Sequence, residues 1–179
     1  MKTKHRVLVT GASGFLGSSV LEVLSKKPLE VIALGHSAGT AREVNEQGNV
    51  TWKFADICDK DALRDTLEGC DTVIHLVGLL TECPKKGITH QRVVVEGSQC
   101  LADACADSGV RKIIYVSAAG THSQSQSVYH QSKWKAESIV KSSGLAWTIF
   151  RPSLLFFSRV AKDYSGCRKD FVATIVQQF

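Results

Sequence analysis

The chain has 179 residues, of which 44% are hydrophobic and 22% are charged, and its formal net charge is +5. This length and composition predict one globular domain with a sizeable core and argue against a disordered chain. The basic residues are scattered along the chain, which argues against a nucleic-acid-binding surface. None of the apolar runs has the length needed to cross a bilayer, so we expect no membrane span.

The cysteines and histidines indicate neither a disulfide scaffold nor a metal centre. The six cysteines include no C-x-x-C pair, and no Cys/His cluster shows zinc spacing, so we expect no metal site. Without a signal peptide, such a chain suggests a reducing compartment, and we expect a cytoplasmic location. His75 falls inside an apolar run and is predicted to be a core histidine whose ring nitrogens are both hydrogen-bonded.

The first predicted element is a strand over Val7–Thr10, which leads directly into a glycine-rich turn. Three glycines follow at spacings of three residues, and apolar residues at helical spacing come next. A strand, a tight turn and a helix in this order form a phosphate-binding element, because the first N–H groups of the helix and its dipole attract a pyrophosphate. The third glycine is expected to let the helix pack closely. The predicted cofactor-binding residues here are Gly11, Ser13, Gly14, Phe15, Leu16 and Gly17.

The next two strands are predicted at Leu29–Leu34 and Val50–Phe54, with a short polar helix around Arg42–Gln47 between them. An NAD-binding site usually carries a carboxylate at the end of the second strand, where it holds the ribose 2′-hydroxyl. Here no carboxylate occurs before Glu43, so nothing repels a 2′-phosphate. This favours NADP(H) over NAD(H), with NAD(H) as the alternative. The donors expected at the phosphate are His36, Ser37 and Arg42, unless they are ordinary loop residues.

The remaining chain continues the alternation of strands and helices. Strands are predicted at Thr72–Val77, Lys112–Val116 and Ala146–Phe150, and helices after Asp59, from Val94 to Gly109, over Tyr129–Ser143 and over Asp170–Phe179. The pattern predicts an α/β fold, a Rossmann-like doubly wound parallel sheet with helices on both faces and its ligand at the carboxyl ends of the strands. Asp56 and Ile57 are placed to meet the adenine, and Leu76, Val77 and Gly78 to line the nicotinamide side.

The predicted domain organisation divides the chain unequally. Residues 1–157 are expected to form the NAD(P)-binding domain. Residues 158–179 are expected to begin a C-terminal lobe that is truncated or reduced, since few residues remain to build a substrate site.

Tyr129 and Lys133 form a Y-x-x-x-K pair on the predicted fourth helix. Residues at i and i+4 of a helix point to one face, and a lysine ammonium near a phenol lowers the phenol's pKa. Tyr129 is therefore a candidate general acid or base, and Lys133 a candidate ligand of the nicotinamide ribose. The alternative is a surface tyrosine beside a solvated lysine, but the position after the fifth strand favours an active site.

Together these motifs resemble the short-chain dehydrogenase/reductase superfamily. The glycine spacing, the Tyr129/Lys133 pair, Val116-Ser117-Ala118-Ala119 and Arg151-Pro152-Ser153 are similar to its extended and atypical branches, which include NAD-dependent epimerases and dehydratases. The stretches 73–78, 129–137 and 143–153 resemble the atypical group that contains the nucleotide-binding alpha-subcomplex accessory subunit of respiratory complex I. The resemblance covers about residues 5–157. It implies a catalytic role for Ser117 and cofactor contacts from Ser117, Tyr129, Lys133, Arg151, Pro152 and Ser153.

Two polar partners of the superfamily's active site are missing. Ala119 stands where dehydrogenases carry a serine or threonine, and Val94 stands where an asparagine is common; Ser117 and Thr121 do not fit the first position cleanly. The resemblance therefore implies bound NADP(H) with a structural or regulatory role. The alternatives are an active oxidoreductase or nucleotide-sugar epimerase/dehydratase that uses Tyr129 and Lys133, and a paralogue that cannot hold cofactor.

The same resemblance sets the expected partners. They are a dinucleotide cofactor, a small-molecule substrate whose identity the sequence does not reveal, and either a respiratory complex or a second copy of the chain. A respiratory partner would place the protein peripherally at a membrane complex.

Overall fold

A parallel sheet of six strands organises the computed structural model, which describes residues 5–37, 48–153 and 165–178, with side chains described outside 165–170. The strands are β1 (Arg6–Thr10), β2 (Glu30–Gly35), β3 (Val50–Phe54), β4 (Thr72–His75), β5 (Lys112–Val116) and β6 (Ala146–Phe150). They pair in the order β3-β2-β1-β4-β5-β6. The strand order reverses between β1 and β4, so the sheet is the Rossmann-like doubly wound sheet that the sequence predicts.

Five α-helices connect or cover these strands in the described residues. They are α1 (Phe15–Leu24), α2 (Lys60–Leu67), α3 (Gly97–Asp107), α4 (Val128–Ser142) and α5 (Ser165–Val176). A short 3₁₀ turn, Pro84–Lys86, and a π-helix, Gln91–Glu96, lie between β4 and α3. In this described part of the chain, none of the helices has the length and apolarity that crossing a bilayer requires.

Capping side chains fix the starts of two helices. The Asp59 carboxylate accepts a hydrogen bond from the Ala62 N–H at 3.0 Å, which satisfies one of the unpaired donors of the first turn of α2. The Ser127 hydroxyl oxygen accepts one from the His130 N–H at the start of α4. The predicted cap at Asp59 is therefore confirmed.

The core lies on both faces of the sheet, because successive side chains of each strand point to opposite sides. Leu8 packs on one face with α2, α3 and α4, while Val7 and Val9 pack on the other with α1 and α5. Helix α5 contributes Val172 and Ile175 to that second face, so the described residues 165–178 pack on the same sheet as the nucleotide-binding elements. The predicted boundary near residue 157 lies outside the described residues, and the division into two parts stays a prediction.

Several element ends differ from the sequence prediction, mostly by one residue, and two of the larger differences are at β4 and α5. Strand β4 ends at His75 and not at Val77, since its pairing with β5 stops at the His75–Tyr115 pair. Beyond that pair, the Leu76 N–H still donates to the Thr10 carbonyl oxygen of β1 at 3.2 Å. Helix α5 begins at Ser165 and not at Asp170. The sequence does not mark this start, because residues 165–168 carry no apolar period. The first difference frees residues 76–78 to line a cavity.

Candidate cofactor site

The glycine-rich turn lies where β1 meets α1, and its shape requires glycine at two positions. Gly11 has φ +70, and a Cβ on it would stand 3.1 Å from the backbone of Leu76 and Val77. A Cβ on Gly17 would stand 2.3 Å from the Gly11 carbonyl oxygen and 2.5 Å from that of Ala12. Gly14 caps α1 with an extended backbone, so the helix presents its first N–H groups beside the turn.

A cavity of about 370 Å³ opens beside this turn, at the carboxyl ends of β1 to β4. This is the position at which doubly wound sheets bind nucleotides. The predicted cofactor residues that line it are Gly11, Ser13, Gly14, His36, Asp56, Ile57, Leu76, Val77 and Gly78. The cavity therefore brings together residues from the turn and from the ends of β2, β3 and β4.

Other predicted cofactor residues lie next to the cavity and not in its lining. Phe15, Leu16 and Gly17 form the first turn of α1, and the Phe15 side chain is exposed. Ser37 follows the cavity-lining His36 directly along the chain. Arg42, the third predicted phosphate donor, lies outside the described residues.

Sequence reasoning missed a second group of lining residues, which comes from the segment between β4 and α3. Lys86 and Ile88 reach the cavity from the 3₁₀ turn and the chain after it, and Arg92 and Val93 reach it from the π-helix. The only local signal was the Lys85-Lys86 pair, which by itself indicates a solvated surface. These residues reach the cavity only because the segment between β4 and α3 folds back over the sheet.

Arg92 forms an ion pair with Asp56 across the cavity wall. The Arg92 Nη2 donates to the Asp56 Oδ2 at 2.6 Å, and the Cys58 backbone N–H donates to Oδ1 at 2.9 Å. Burial raises the pKa of the Asp56 carboxyl, but these two hydrogen bonds and the Arg92 charge outweigh burial and hold that pKa below its ordinary value. Asp56 is therefore ionised and paired at neutral pH.

Lys133 adjoins the same cavity at the ends of β4 and β5. Its side chain is 3% exposed, and its Nζ donates to the carbonyl oxygens of Val116 at 2.9 Å and Val77 at 3.4 Å. The Nζ also lies 4.6 Å from the centre of the Tyr115 ring and 3.6 Å from where a Cβ on Gly78 would stand. Burial lowers the pKa of Lys133 to about 8.

Tyr129 stands one turn before Lys133 on α4, half-buried between two imidazole rings. Its ring centre lies 5.9 Å from that of His90 and 5.1 Å from that of His130, each in an edge-on arrangement. Burial raises the pKa of Tyr129. The expectation that Lys133 lowers this pKa is wrong in this structure, because the ammonium is engaged by two carbonyl oxygens and burial governs the phenol.

The loops after β5 and β6 run side by side. The Ser117 N–H donates to the Phe150 carbonyl oxygen at 2.7 Å, and the Ala119 N–H donates to that of Pro152 at 2.8 Å. Ser117 is buried, whereas Ser153 is exposed. Neither serine, nor Pro152, is part of the cavity lining described above, so their predicted cofactor contacts remain predictions.

Arg151 forms an ion pair with Glu137, a buried residue of α4. Its Nε and Nη2 donate to the two carboxylate oxygens of Glu137 at 2.8 and 2.6 Å, and the Glu137 side chain is fully buried. Burial raises the pKa of Glu137, but the hydrogen bonds and charge of Arg151 outweigh it and lower that pKa overall. The described contacts of Arg151 are therefore structural, and its predicted role as a cofactor ligand stays a prediction.

His75 is the satisfied core histidine that the sequence predicts. The Ser98 hydroxyl donates to the Val94 carbonyl oxygen at 2.5 Å, so its oxygen accepts from the His75 Nε2–H at 3.1 Å. Nδ1 then accepts from the Thr10 hydroxyl at 2.7 Å. Burial lowers the pKa of His75 to about 3, so the ring is neutral at neutral pH and is part of the hydrogen-bonded core.

Replacing Lys133 by methionine should stabilise the free protein. At pH 7 the buried ammonium is penalised relative to the unfolded chain, so we expect Lys133→Met to raise the free energy of unfolding by about 2 kcal/mol. The gain should shrink as the pH rises from about 8, where folded Lys133 loses its proton, toward about 10.4, where the unfolded lysine does. Urea unfolding at pH 7 and pH 10 measures both values.

The matched control is Lys135→Met, which changes an exposed lysine on the same helix. It should leave stability within about 0.5 kcal/mol at both pH values. A Lys133→Met variant that gains nothing at pH 7 would contradict a penalty on the buried charge.

Comparisons with known proteins agree with this geometry. A family model described as "NAD(P)H-binding" matches residues 11–169. Dihydroflavonol 4-reductase from Zea mays is 30% identical over 146 aligned residues, with 73% of this chain and 40% of that protein covered. The mitochondrial NADH-ubiquinone oxidoreductase 40 kDa subunit from Neurospora crassa is 25% identical over 155 residues, with 85% of this chain and 41% of that protein covered.

A solved structure shares the fold over almost the whole chain. The oxidoreductase ylbE from Lactococcus lactis superposes with a TM-score of 0.77 at 19% identity and covers 97% of this chain and 84% of that one. The chain spans less than half the length of the curated relatives named above. The matched family model, the strand order and the glycine turn agree, and the chain therefore belongs to the NAD(P)H-binding family, as a Rossmann-fold protein of the short-chain dehydrogenase/reductase type.

Proposed function

We propose that the protein binds NADP(H) in preference to NAD(H) and that the nucleotide has mainly a structural or regulatory role. The observation that carries the preference is the end of β2, where His36 lines the cavity at the place an NAD site gives to a carboxylate. Lys86 and Arg92 add positive charge to the same cavity. Within the described lining, Asp56 supplies the opposing negative charge and is already paired with Arg92.

The glycine turn fits the pyrophosphate of such a ligand. Side chains at Gly11 and Gly17 would collide with neighbouring backbone, so the turn brings bare backbone and the start of α1 to the cavity. Gly11, Ser13 and Gly14 would hold the pyrophosphate, and Asp56 and Ile57 would flank the adenine. Lys133 lies beside Gly78, where it would meet the nicotinamide ribose.

The structural or regulatory role is supported by two missing polar partners and by the burial of Tyr129. Ala119 and Val94 replace the hydroxyl and amide partners of the superfamily's active site, and losing one donor to a developing oxyanion costs about 3 kcal/mol of transition-state stabilisation. Burial also raises the pKa of Tyr129, so less of the phenolate that could accept a proton is present at neutral pH. Holding the nucleotide requires neither the missing hydroxyl nor the missing amide.

The second candidate function is an active oxidoreductase or nucleotide-sugar epimerase/dehydratase. It is favoured by the position of Tyr129 and Lys133, one turn apart on α4, with Lys133 at the edge of the cofactor cavity. When bound, the nicotinamide would supply hydride transfer, and Tyr129 would hold or deliver the proton. Turnover of a carbonyl substrate that Tyr129→Phe abolishes, at unchanged cofactor affinity, would favour this function over the first.

Titration of the purified protein with both oxidised cofactors tests the preference. We expect NADP⁺ to bind at least tenfold more tightly than NAD⁺ by isothermal titration calorimetry, because an added phosphate gains charge-assisted hydrogen bonds from basic groups. Equal affinities, or tighter binding of NAD⁺, would reject the NADP(H) preference. Binding of neither nucleotide would reject the function itself.

A larger assembly is the proposed setting for this role. The Neurospora relative is by its name a subunit of NADH-ubiquinone oxidoreductase, and we extend to this chain a peripheral place on a respiratory complex. A second copy of the chain is the alternative partner. A cytoplasmic location is part of the same proposal. Co-purification of the tagged full chain with a membrane complex or with itself distinguishes the partners.

A further inference from the structure

We propose that Arg92 is a specificity-determining residue of the cofactor cavity, because it cancels the charge of Asp56 and so lets the adenosine end accept a 2′-phosphate. The proposal rests on the proposed nucleotide binding and names the residue that sets its preference. It concerns a side chain that belongs to none of the motifs singled out in the sequence.

The charges of the adenosine end support this role. The lining residues near the ends of β2 and β3 include His36 and Asp56, and those from the β4–α3 segment include Lys86 and Arg92. Asp56 is the one carboxylate among the described lining residues. His36 lies close enough to Asp56 to help lower the Asp56 pKa when the His36 ring is protonated. A carboxylate this close to the end of β2 would repel a 2′-phosphate placed there, unless a cation pairs with it.

Arg92 supplies that cation. Its Nη2 lies 2.6 Å from the Asp56 Oδ2, while 45% of the Arg92 side chain remains exposed. A guanidinium carries five N–H donors, so the pairing with Asp56 leaves further donors for an incoming phosphate. One residue can therefore both neutralise the carboxylate and bind the anion.

The π-helix gives Arg92 its position. The Arg92 N–H is hydrogen-bonded to the Thr89 hydroxyl at 3.1 Å, and the Arg92 carbonyl oxygen accepts from the Cys58 thiol at 3.3 Å. The contact with Cys58 ties the start of the π-helix to the chain that follows β3. The guanidinium is thereby held over Asp56 by its backbone as well as by the ion pair.

Two nucleotide fragments isolate the effect of the 2′-phosphate. Adenosine 2′,5′-bisphosphate and adenosine 5′-monophosphate differ only in that group, and neither contains the nicotinamide part. For Arg92→Gln we expect the dissociation constant of the bisphosphate to rise about tenfold, because the unpaired Asp56 charge now opposes the ligand. The dissociation constant of the monophosphate should change less than twofold.

The double variant Arg92→Gln/Asp56→Asn separates neutralisation from direct binding. Removing both charges should recover the part of the affinity for the bisphosphate that the unpaired Asp56 charge had cost, at least threefold of the tenfold loss. Any loss that remains measures direct binding of the phosphate by Arg92, and no recovery at all would contradict neutralisation. Arg92→Lys, which keeps the charge, should retain most of the preference. The control is Arg64→Gln on α2, outside the cavity lining. It breaks an exposed ion pair with Asp107 on α3 that is 2.6 Å long, as the Arg92–Asp56 pair is, and it should change neither affinity.

The outcomes distinguish this inference from the proposed function. If the unmodified protein prefers the bisphosphate and Arg92→Gln weakens both fragments equally, or neither, then Arg92 does not set specificity and nucleotide binding still stands. If the unmodified protein binds neither fragment, both proposals are wrong.

Discussion

Replacing Gly17 by alanine is expected to destabilise the protein by about 3 kcal/mol or more and to abolish nucleotide binding. The added Cβ would stand 2.3 Å from the Gly11 carbonyl oxygen and 2.5 Å from that of Ala12, and both are backbone atoms of the turn. Because backbone cannot swing aside like the end of a flexible side chain, either α1 must move off the sheet or the turn must open. Helix α1 carries Val20 and Leu24 into the core, so its displacement also exposes apolar surface.

Gly14→Ala is the matched comparison within the same turn. Its Cβ would meet a single atom, the Gly11 carbonyl oxygen at 3.1 Å, and Gly14 has an extended backbone that other residues adopt. We therefore expect Gly14→Ala to lose about 1 kcal/mol of stability at most, while it weakens nucleotide binding by crowding the approach to the pyrophosphate. Urea unfolding and nucleotide titration of both variants measure the contrast. If Gly17→Ala keeps the stability of the unmodified protein, the packing argument for the third glycine is wrong.

The regular part of the fold could be predicted because its signals are local. Apolar runs bounded by turn residues locate β3, β5 and β6 to the residue, and the Asp59 cap marks the start of α2. The apolar pattern extends β4 too far, since Leu76 and Val77 are as apolar as a strand although they lie beyond its end. An apolar run indicates that its residues are buried, but it does not distinguish residues of a strand from residues that line a cavity beside the sheet.

The site could be predicted only where a motif places its residues. The turn after β1 and the ends of β2, β3 and β4 follow from the strand order, and so do the residues that they bring to the cavity. Lys86 and Arg92 belong to an irregular segment whose path depends on tertiary contacts, so no spacing marks them. The pKa of Tyr129 was mispredicted for the same reason, because the distance from Lys133 along the helix does not reveal which carbonyl oxygens the ammonium meets.

Replacing Arg151 by methionine is expected to cost about 3 kcal/mol of stability at pH 7. Arg151 makes two hydrogen bonds to Glu137, whose side chain is fully buried, and the second cation near this carboxylate, Lys141, lies farther away at 3.5 Å. Removing one partner of a buried ion pair ordinarily costs about 3–5 kcal/mol, because it leaves the other charge poorly compensated. Here Glu137 is fully buried but 42% of the Arg151 side chain is exposed, so solvent screens the pair in part. The remaining contact with Lys141 places the expected loss at the lower end of that range.

The pH dependence of this loss tests its cause. In the unmodified protein the pKa of Glu137 is lowered, so the pair stabilises the fold above the carboxyl's unfolded pKa, and this contribution is lost as the pH falls through the folded value. In Arg151→Met burial should instead raise that pKa, so protonation relieves the penalty as the pH falls. Urea unfolding should therefore show a smaller difference between the two proteins at pH 4 than at pH 7.

Two variants separate the charge from the space it occupies. Arg151→Met/Glu137→Gln removes both charges and should recover at least half of the lost stability, because no buried ion is left without its partner. Arg64→Met breaks an exposed pair and should cost less than about 1 kcal/mol. If Arg151→Met instead leaves stability unchanged and weakens nucleotide binding, then Arg151 acts on the cofactor, as its motif predicts, and the ion pair with Glu137 is incidental to the fold.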